Sequence, residues 1–99
     1  MRLKTFLITG GVGYIGVHAS FALLERGYNV YVIDSLINSS ENTVNKIYAF
    51  NKSNNTIKNK SVFKFYKGDI RDLSNLEFIF SKAKHDSNPI DAVLHFAGM

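Results

Sequence analysis

The chain has 99 residues, 45% of them hydrophobic, with a single proline and no cysteine. That is enough apolar material for one core and too little chain for two domains, and the missing cysteines exclude a disulfide framework and thiolate chemistry, in keeping with a reducing compartment. The formal charge of +4 comes from twelve Lys and Arg against eight Asp and Glu, and much of the excess lies between Lys52 and Lys67. Asn and Ser crowd the same stretch, so it is expected to be a hydrated surface loop, with no nucleic-acid partner.

Arg2 and Lys4 flank the start of an apolar run, as basic residues do in a secretory signal. Gly10, Gly11, Gly13 and Gly16 break that run well short of the ~18 apolar residues a spanning helix needs, so no signal, membrane association or spanning segment is expected. The acceptor-like triplets at Asn38, Asn51, Asn54 and Asn59 are then expected to go unmodified, and the chain is expected in the cytoplasm.

Leu3 to Thr9 is nearly uninterrupted apolar sequence ending at glycine, the pattern of a strand buried on both faces of a parallel sheet. A helix follows from about Gly13 to Arg26, with Ile15, Ala19, Ala22 and Leu23 at helical spacing and Gly27 as its stop. Asn29 to Ile33 forms a second strand ending at Asp34. A weaker helix runs from around Glu41 to Asn51, with Val44, Ile47 and Tyr48 on one side. The polar loop leads to a third strand, Ser61 to Tyr66, which runs into Gly68-Asp69. Ser74-Asn75-Leu76-Glu77 has the form of a capping box and opens a helix carrying Leu76, Ile79, Phe80 and Ala83 on one face. After Pro89, Asp91 to Phe96 is a fourth strand running into Ala97-Gly98-Met99. The alternation β-α-β-α-β-α-β demands parallel strands joined by right-handed crossovers.

Thr9-Gly10-Gly11-Val12-Gly13-Tyr14-Ile15-Gly16 stands where the first strand gives way to the first helix. A helix start offers unpaired N–H groups and the positive end of the helix dipole, which suits a diphosphate. Gly10 permits the tight turn, Gly13 lets the backbone approach the pyrophosphate, and Gly16 lets the helix lie close to the strand. Two registers fit the fingerprint, one starting at Gly10 and the other at Gly11, each followed by Gly13 and Gly16. Asp34 falls close to the roughly 20 residues on at which an acidic ribose ligand is expected. A carboxylate there accepts from adenosine hydroxyls and repels a 2′-phosphate, which favours NAD over NADP. No Arg stands between Asp34 and Arg71. Asp69 suits an adenine amino group with the Ile70 backbone alongside, and Gly98 leaves room for a ribose or pyrophosphate. All of these groups end strands at one edge, where open parallel sheets bind ligands. The fold class is therefore an α/β, Rossmann-type doubly wound parallel sheet, partial, with four strands in the expected order 3-2-1-4. Residues 1–99 make up the first part of one NAD-binding domain.

From the glycine motif with His18, through Asp34 with Asn38-Ser39 and Gly68-Asp69-Ile70-Arg71-Asp72, to His95-Phe96-Ala97-Gly98, the chain resembles the UDP-glucose 4-epimerase family of extended short-chain dehydrogenase/reductases. Related dehydratases and decarboxylases tend to carry Phe at the place of Tyr14 and an Ala-Ala pair near Phe96-Ala97-Gly98. The resemblance implies NAD contacts from the Tyr14 and Ile15 backbone and from Asp34, Asn38 and Ser39. It also implies contacts from Asp69 and Ile70 at the adenine and from Phe96, Ala97 and Gly98 toward the nicotinamide. Ser35 stands where many relatives carry Asn, and Met99 where Leu is common.

In that family a Tyr-x-x-x-Lys pair after a fifth strand removes the sugar's 4-hydroxyl proton while NAD accepts the hydride from C4, giving a transient 4-keto sugar that is reduced from its other face. Tyr48-Ala49-Phe50-Asn51-Lys52 fits the spacing but precedes the third strand, so it is expected to be an ordinary helical pair. His95 is expected to be a hydrogen-bonded structural histidine inside a buried strand. His18 and His85 lack partners at metal spacing, and no metal is expected.

No catalytic residue is therefore expected in these residues, which would be a truncated piece, inactive alone, of an enzyme whose substrate is a UDP-hexose and which works as a homodimer. The fourth strand would expose an apolar edge prone to association. Two alternatives remain: another NAD-dependent nucleotide-sugar epimerase or dehydratase, and a non-catalytic NAD-binding sensor module.

Overall fold

Seven elements alternate along the chain: β1 (Thr5–Thr9), α1 (Tyr14–Glu25), β2 (Asn29–Asp34), α2 (Glu41–Asn54), β3 (Phe63–Lys67), α3 (Leu73–His85) and β4 (Ala92–His95). The structure is a computed structural model that describes residues 3–10, 14–35, 41–55 and 60–96, with Tyr14 described by its backbone alone. The strands form one sheet in the order β3-β2-β1-β4, every pair parallel. This is the order expected of a Rossmann-type doubly wound sheet.

β2 lies at the centre of the packing. Val30 and Val32 join Ile8 of β1 on one face, beneath Leu24 of α1 and Val44 and Ile47 of α2. Tyr31 and Ile33 point the other way with Leu7, beneath Ile79 and Ala83 of α3. The period-2 alternation of a strand thus feeds two cores, and helices cover both faces. Each of these aliphatic side chains is essentially removed from water, and burying one stabilises the fold by about 1.5–3 kcal/mol.

Two helix faces differ from the spacing-based expectation. In α1, Ile15 is 50% exposed and Ala22 is also exposed, whereas Gly16, Ser20 and Leu24 are buried. The helix is apolar nearly all round, so residues four apart on more than one stripe compete for the sheet, and the stripe with the smallest side chains at its start packs closest. In α3, Ile79 and Ala83 are buried as expected, but Phe80 is 43% exposed. The cap of α3 is also not Ser74. Asp72 is the N-cap, its Oδ1 accepting from the Ser74 N–H at 3.0 Å and from the Ser74 hydroxyl at 2.6 Å. An aspartate two residues upstream satisfies the same orphan donors, and its charge suits the helix start better. Gly27 ends α1 as expected, donating to the Leu24 carbonyl at 3.0 Å.

The two outer strands are finished differently. Along β3 the Tyr48 ring of α2 packs edge-on against Phe63, with centroids 4.7 Å apart. Its hydroxyl accepts the Phe65 N–H at 2.9 Å. The tyrosine of the Tyr-x-x-x-Lys look-alike thus covers an edge strand. Among the described residues β4 pairs only with β1, and its Val93 is 48% exposed.

The amino end of the sheet is tied by a polar network. Asn29 Nδ2 donates to Thr5 Oγ1 and to Asn88 Oδ1, each at 3.2 Å, and its Oδ1 accepts the Val62 N–H at 2.9 Å. Asp91 accepts the Thr5 N–H at 2.8 Å. The Tyr31 hydroxyl donates to Asp86 at 2.8 Å. Burial is the main reason the Tyr31 phenol is pushed up to about 12, and the hydrogen bond from Tyr31 is the main reason the Asp86 carboxyl is lowered. Among the described residues no helix is long and apolar enough to cross a membrane.

Candidate functional site at the carboxyl edge

Because all strands run the same way, the segments that follow β1, β2, β3 and β4 leave from one edge of the sheet. Every described residue singled out from sequence lies there: Gly10 after β1, Tyr14, Ile15 and Gly16 at the start of α1, Asp34 closing β2, Asp69 and Ile70 after β3, and Phe96 after β4. Gly13, Asn38, Ser39, Ala97 and Gly98 lie outside the described residues.

Gly10 has φ 72° and donates its N–H to the Ile33 carbonyl at 2.9 Å. The turn out of β1 is therefore left-handed and pinned to β2, a conformation glycine adopts without the penalty a Cβ brings. It leads toward the start of α1, whose first turn carries no acidic residue. The chain thus places no carboxylate in that first turn to neutralise the positive end of the helix. Gly16 is buried, consistent with a helix packed close to the sheet, and Ile15 is open to solvent.

Asp34 is half-buried at the last position of β2, where its carbonyl accepts the Gly68 N–H at 3.1 Å. That bond ties the ends of β2 and β3 together. Space at Gly68 is tight: a Cβ would meet Asn75 Nδ2 at 3.1 Å and Ile33 Cδ1 at 3.3 Å, so those side chains would have to shift by a few tenths of an ångström. The close approach lets Asn75 Nδ2 donate to the Asp69 carbonyl at 3.2 Å, which also accepts the Asp72 N–H at 3.0 Å.

The Asp69 carboxylate is held as firmly as its carbonyl. Arg71 donates its backbone N–H to Oδ1 at 2.8 Å and its Nη2 to Oδ2 at 2.7 Å, while Nε lies 3.1 and 3.0 Å from the two oxygens. Those side-chain bonds, followed by the backbone one, hold the Asp69 carboxyl down at about 2. Ile70, by contrast, donates its N–H to no protein acceptor among the described residues. An ionised acceptor and an uncommitted backbone donor therefore stand next to each other at the open edge. A cavity of about 200 Å³ between the ends of β2 and β3 and α3 is lined by Ile33, Tyr66, Lys67, Asn75, Phe78 and Ile79.

At the far side, the Phe96 N–H donates to the Thr9 carbonyl at 2.8 Å, which fixes where β4 leaves the sheet. His95 Nδ1 lies 2.5 Å from the Thr9 hydroxyl. The expected hydrogen bond is present, but His95 is exposed and not buried. Among the described residues β4 is covered on one side only: its Leu94, with Phe96 just beyond the strand, packs against the core beneath α1, while Val93 and His95 are exposed. Among the described residues no cluster of His, Cys, Asp and Glu could hold a metal ion.

Arg71 and Asn75 have no part in the sequence-based site. The signal for Arg71 is its place two residues after a strand-end aspartate, which brings a long cation back over the carboxylate. Asn75 carries no comparable signal, because its use depends on the missing Cβ of Gly68.

A parallel sheet wrapped on both faces, with a left-handed glycine turn into a helix and acidic groups ending the next two strands, is a Rossmann-type dinucleotide-binding architecture. Residues 7–99 match the family described as GDP-mannose 4,6 dehydratase, and the chain belongs to that family. Several similar curated proteins are UDP-glucose 4-epimerases. The UDP-glucose 4-epimerase of Yersinia enterocolitica is 45% identical over 97 residues, which are 96% of this chain and 24% of that protein. The Bifidobacterium longum UDP-glucose 4-epimerase, solved with NAD+ and UDP, superposes with a TM-score of 0.77 at 34% identity over 97% of this chain and 25% of its own. The Stenotrophomonas UDP-glucose 4-epimerase, solved with NAD and a formylated UDP-arabinopyranose, gives 0.76 at 34% identity over 99% and 25%. The chain thus spans about a quarter of the length of the relatives it matches.

Proposed function

We propose that this chain is the first part of the NAD-binding domain of a UDP-glucose 4-epimerase, interconverting UDP-galactose and UDP-glucose through a transient 4-keto sugar in galactose metabolism. The observation that carries the cofactor reading is the donor and acceptor set at the carboxyl edge. The ionised Asp69 carboxylate and the uncommitted Ile70 N–H match, in order, the amino group and ring nitrogen of an adenine edge. Asp34, half-buried at the end of β2, is placed to accept from adenosine ribose hydroxyls and to repel a 2′-phosphate, which selects NAD. Gly10, Gly13 and Gly16 with the Tyr14 and Ile15 backbone take the diphosphate at the start of α1. Asn38 and Ser39 add contacts beyond Asp34, and Phe96, Ala97 and Gly98 approach the nicotinamide half.

When bound, NAD supplies reversible oxidation at C4 of the sugar and ends the cycle unchanged. The residues here orient and hold the dinucleotide, and none of them removes the substrate proton. Tyr48 does not serve, because it packs on the outer strand β3, at the opposite side of the sheet from the β4 end proposed for the nicotinamide half. The Tyr-x-x-x-Lys pair, most of the UDP-hexose site and the homodimer contacts belong to sequence beyond these residues, so the chain alone is inactive. The intact enzyme works in the cytoplasm.

Two measurements test this reading. Equilibrium dialysis should show NAD bound by the chain and NADP excluded, and an absence of NAD binding would overturn the cofactor assignment. Residues 1–99 can also replace the matching quarter of the Yersinia epimerase. The chimera should interconvert UDP-galactose and UDP-glucose.

The family description supports a second reading, a nucleotide-sugar dehydratase. It would show itself if the chimera bound NAD yet failed to turn over either sugar, while the same segment grafted into a dehydratase restored activity.

A further inference from the structure

We propose that Arg71 is a positioning residue that aims the Asp69 carboxylate at the base of the bound dinucleotide and so enforces selection of adenine; this rests on the NAD-binding reading above. Asp69 is anchored at both ends, its carbonyl by Asn75 and Asp72 and its carboxylate by Arg71 alone. The guanidinium reaches both carboxylate oxygens at 2.7–3.1 Å. A planar fork of that kind restricts rotation of the carboxylate in a way that a single donor does not.

The pair is not sequestered. The Asp69 side chain is 43% exposed and that of Arg71 85%. Enough of the carboxylate remains open to accept from a ligand while Arg71 holds its plane. Arg71 makes no other hydrogen bond or ion pair among the described residues, so its described role begins and ends with Asp69.

The chemical consequence concerns which purine fits. Adenine offers an amino donor beside a ring-nitrogen acceptor, matching the acceptor on Asp69 and the donor on Ile70. Hypoxanthine offers a carbonyl acceptor beside a ring N–H donor, which reverses both contacts. A fixed carboxylate meets the carbonyl as an unrelieved repulsion, whereas a freely rotating one can turn aside. Arg71 thus decides how strongly the wrong base is rejected.

The experiment compares NAD with nicotinamide hypoxanthine dinucleotide by equilibrium dialysis on the chain and on Arg71→Lys and Arg71→Ala. The unaltered chain should prefer NAD by about tenfold or more, the worth of one hydrogen bond to a charged group. Arg71→Ala should reduce the preference to within about threefold, and Arg71→Lys should fall between, since lysine supplies charge without the fork. A purely structural role for Arg71 would weaken both dinucleotides equally and leave the ratio unchanged, and that result would overturn the proposal. If the unaltered chain bound neither dinucleotide, the NAD reading itself would fall. If Arg71→Ala failed to fold, the ratio in Arg71→Lys would decide, an unchanged preference counting against the proposal.

Discussion

Replacing Asn29 with alanine should be among the most damaging polar substitutions in the chain. Asn29 is 2% exposed, and its amide joins four places that are far apart in sequence: its own strand β2, Thr5 of β1, Val62 ahead of β3 and Asn88 ahead of β4. Alanine removes all three side-chain bonds. At a net ~0.5–1.5 kcal/mol each the loss is about 1.5–4.5 kcal/mol. The upper half of that range applies, because the buried Thr5 hydroxyl loses a partner that water cannot replace. For a chain of this size the cost corresponds to a fall in Tm of roughly 4–8 °C per kcal/mol. Urea denaturation should show a lower midpoint with an unchanged slope, since the folded surface hardly changes. Asn88→Ala removes one of the same bonds, so a double-mutant cycle between the two sites should give a coupling of about 1 kcal/mol. A loss below about 1 kcal/mol in Asn29→Ala, or strict additivity with Asn88→Ala, would show that the network does not hold the sheet.

Ser20→Ala should stabilise the fold by about 1 kcal/mol, because the Ser20 hydroxyl is fully buried in α1 without a hydrogen-bond partner among the described residues and such a group costs ~1–3 kcal/mol; a lower urea midpoint would contradict this. In alkaline titration Tyr31 should ionise near 12. Since the folded value is raised, the stability it contributes is present below the ~10 of an unfolded tyrosine and is lost as pH rises through the folded value; phenolate absorbance with Tyr31→Phe as reference checks it. Val93→Lys on the exposed side of β4 should shift the chain toward monomer in sedimentation at equal concentration, as charges on edge strands do, and no change would mean that β4 does not mediate association. Asp34→Asn should raise affinity for NADP by about tenfold or more, because the 2′-phosphate no longer meets a carboxylate across a partly dry gap; continued exclusion of NADP would place Asp34 away from the adenosine ribose.

What could be read from the sequence follows from how local each signal is. The strands were legible because Leu7-Ile8 and Val30-Tyr31-Val32-Ile33 are apolar on both faces, which only a sheet covered on both sides can bury. Their order followed from the Rossmann-type class that the glycine motif and Asp34 point to. The glycine turn was legible because a left-handed turn out of a strand calls for glycine, and the place of Asp34 because it closes the apolar run of β2. The faces of α1 and α3 were less so: where Ile15, Val17 and Leu23 are all apolar, periodicity cannot say which stripe packs, and the answer lies in how closely Gly16 and Ser20 let the helix approach. The start of α3 reads from sequence as a capping box at Ser74, whereas the cap is Asp72 two residues upstream, a choice made by local geometry that the Ser-x-x-Glu spacing does not contain. The exposure of His95 depends on what lies over β4, which no local pattern contains. Least legible was the polar network, since Thr5 and Asp91 are 86 positions apart and Asn29 and Val62 are 33 apart.

The two ends of the sheet treat their polar groups in opposite ways, and that contrast supports a site independently of any motif. At the amino end Thr5, Asn29, Tyr31, Asp86, Asn88 and Asp91 bond with one another and with neighbouring backbone, so the α3-to-β4 connection is locked and little is left for a ligand. At the carboxyl end the chain pins Gly10, Gly68 and Asp69 in place, yet it leaves the Ile70 N–H without a protein acceptor among the described residues and gives the first turn of α1 no acidic residue. Ile70 is only half-buried, so water can serve its N–H until a ligand acceptor replaces it. Rigid placement combined with unspent donors is what preorganisation for an anionic, adenine-bearing ligand requires.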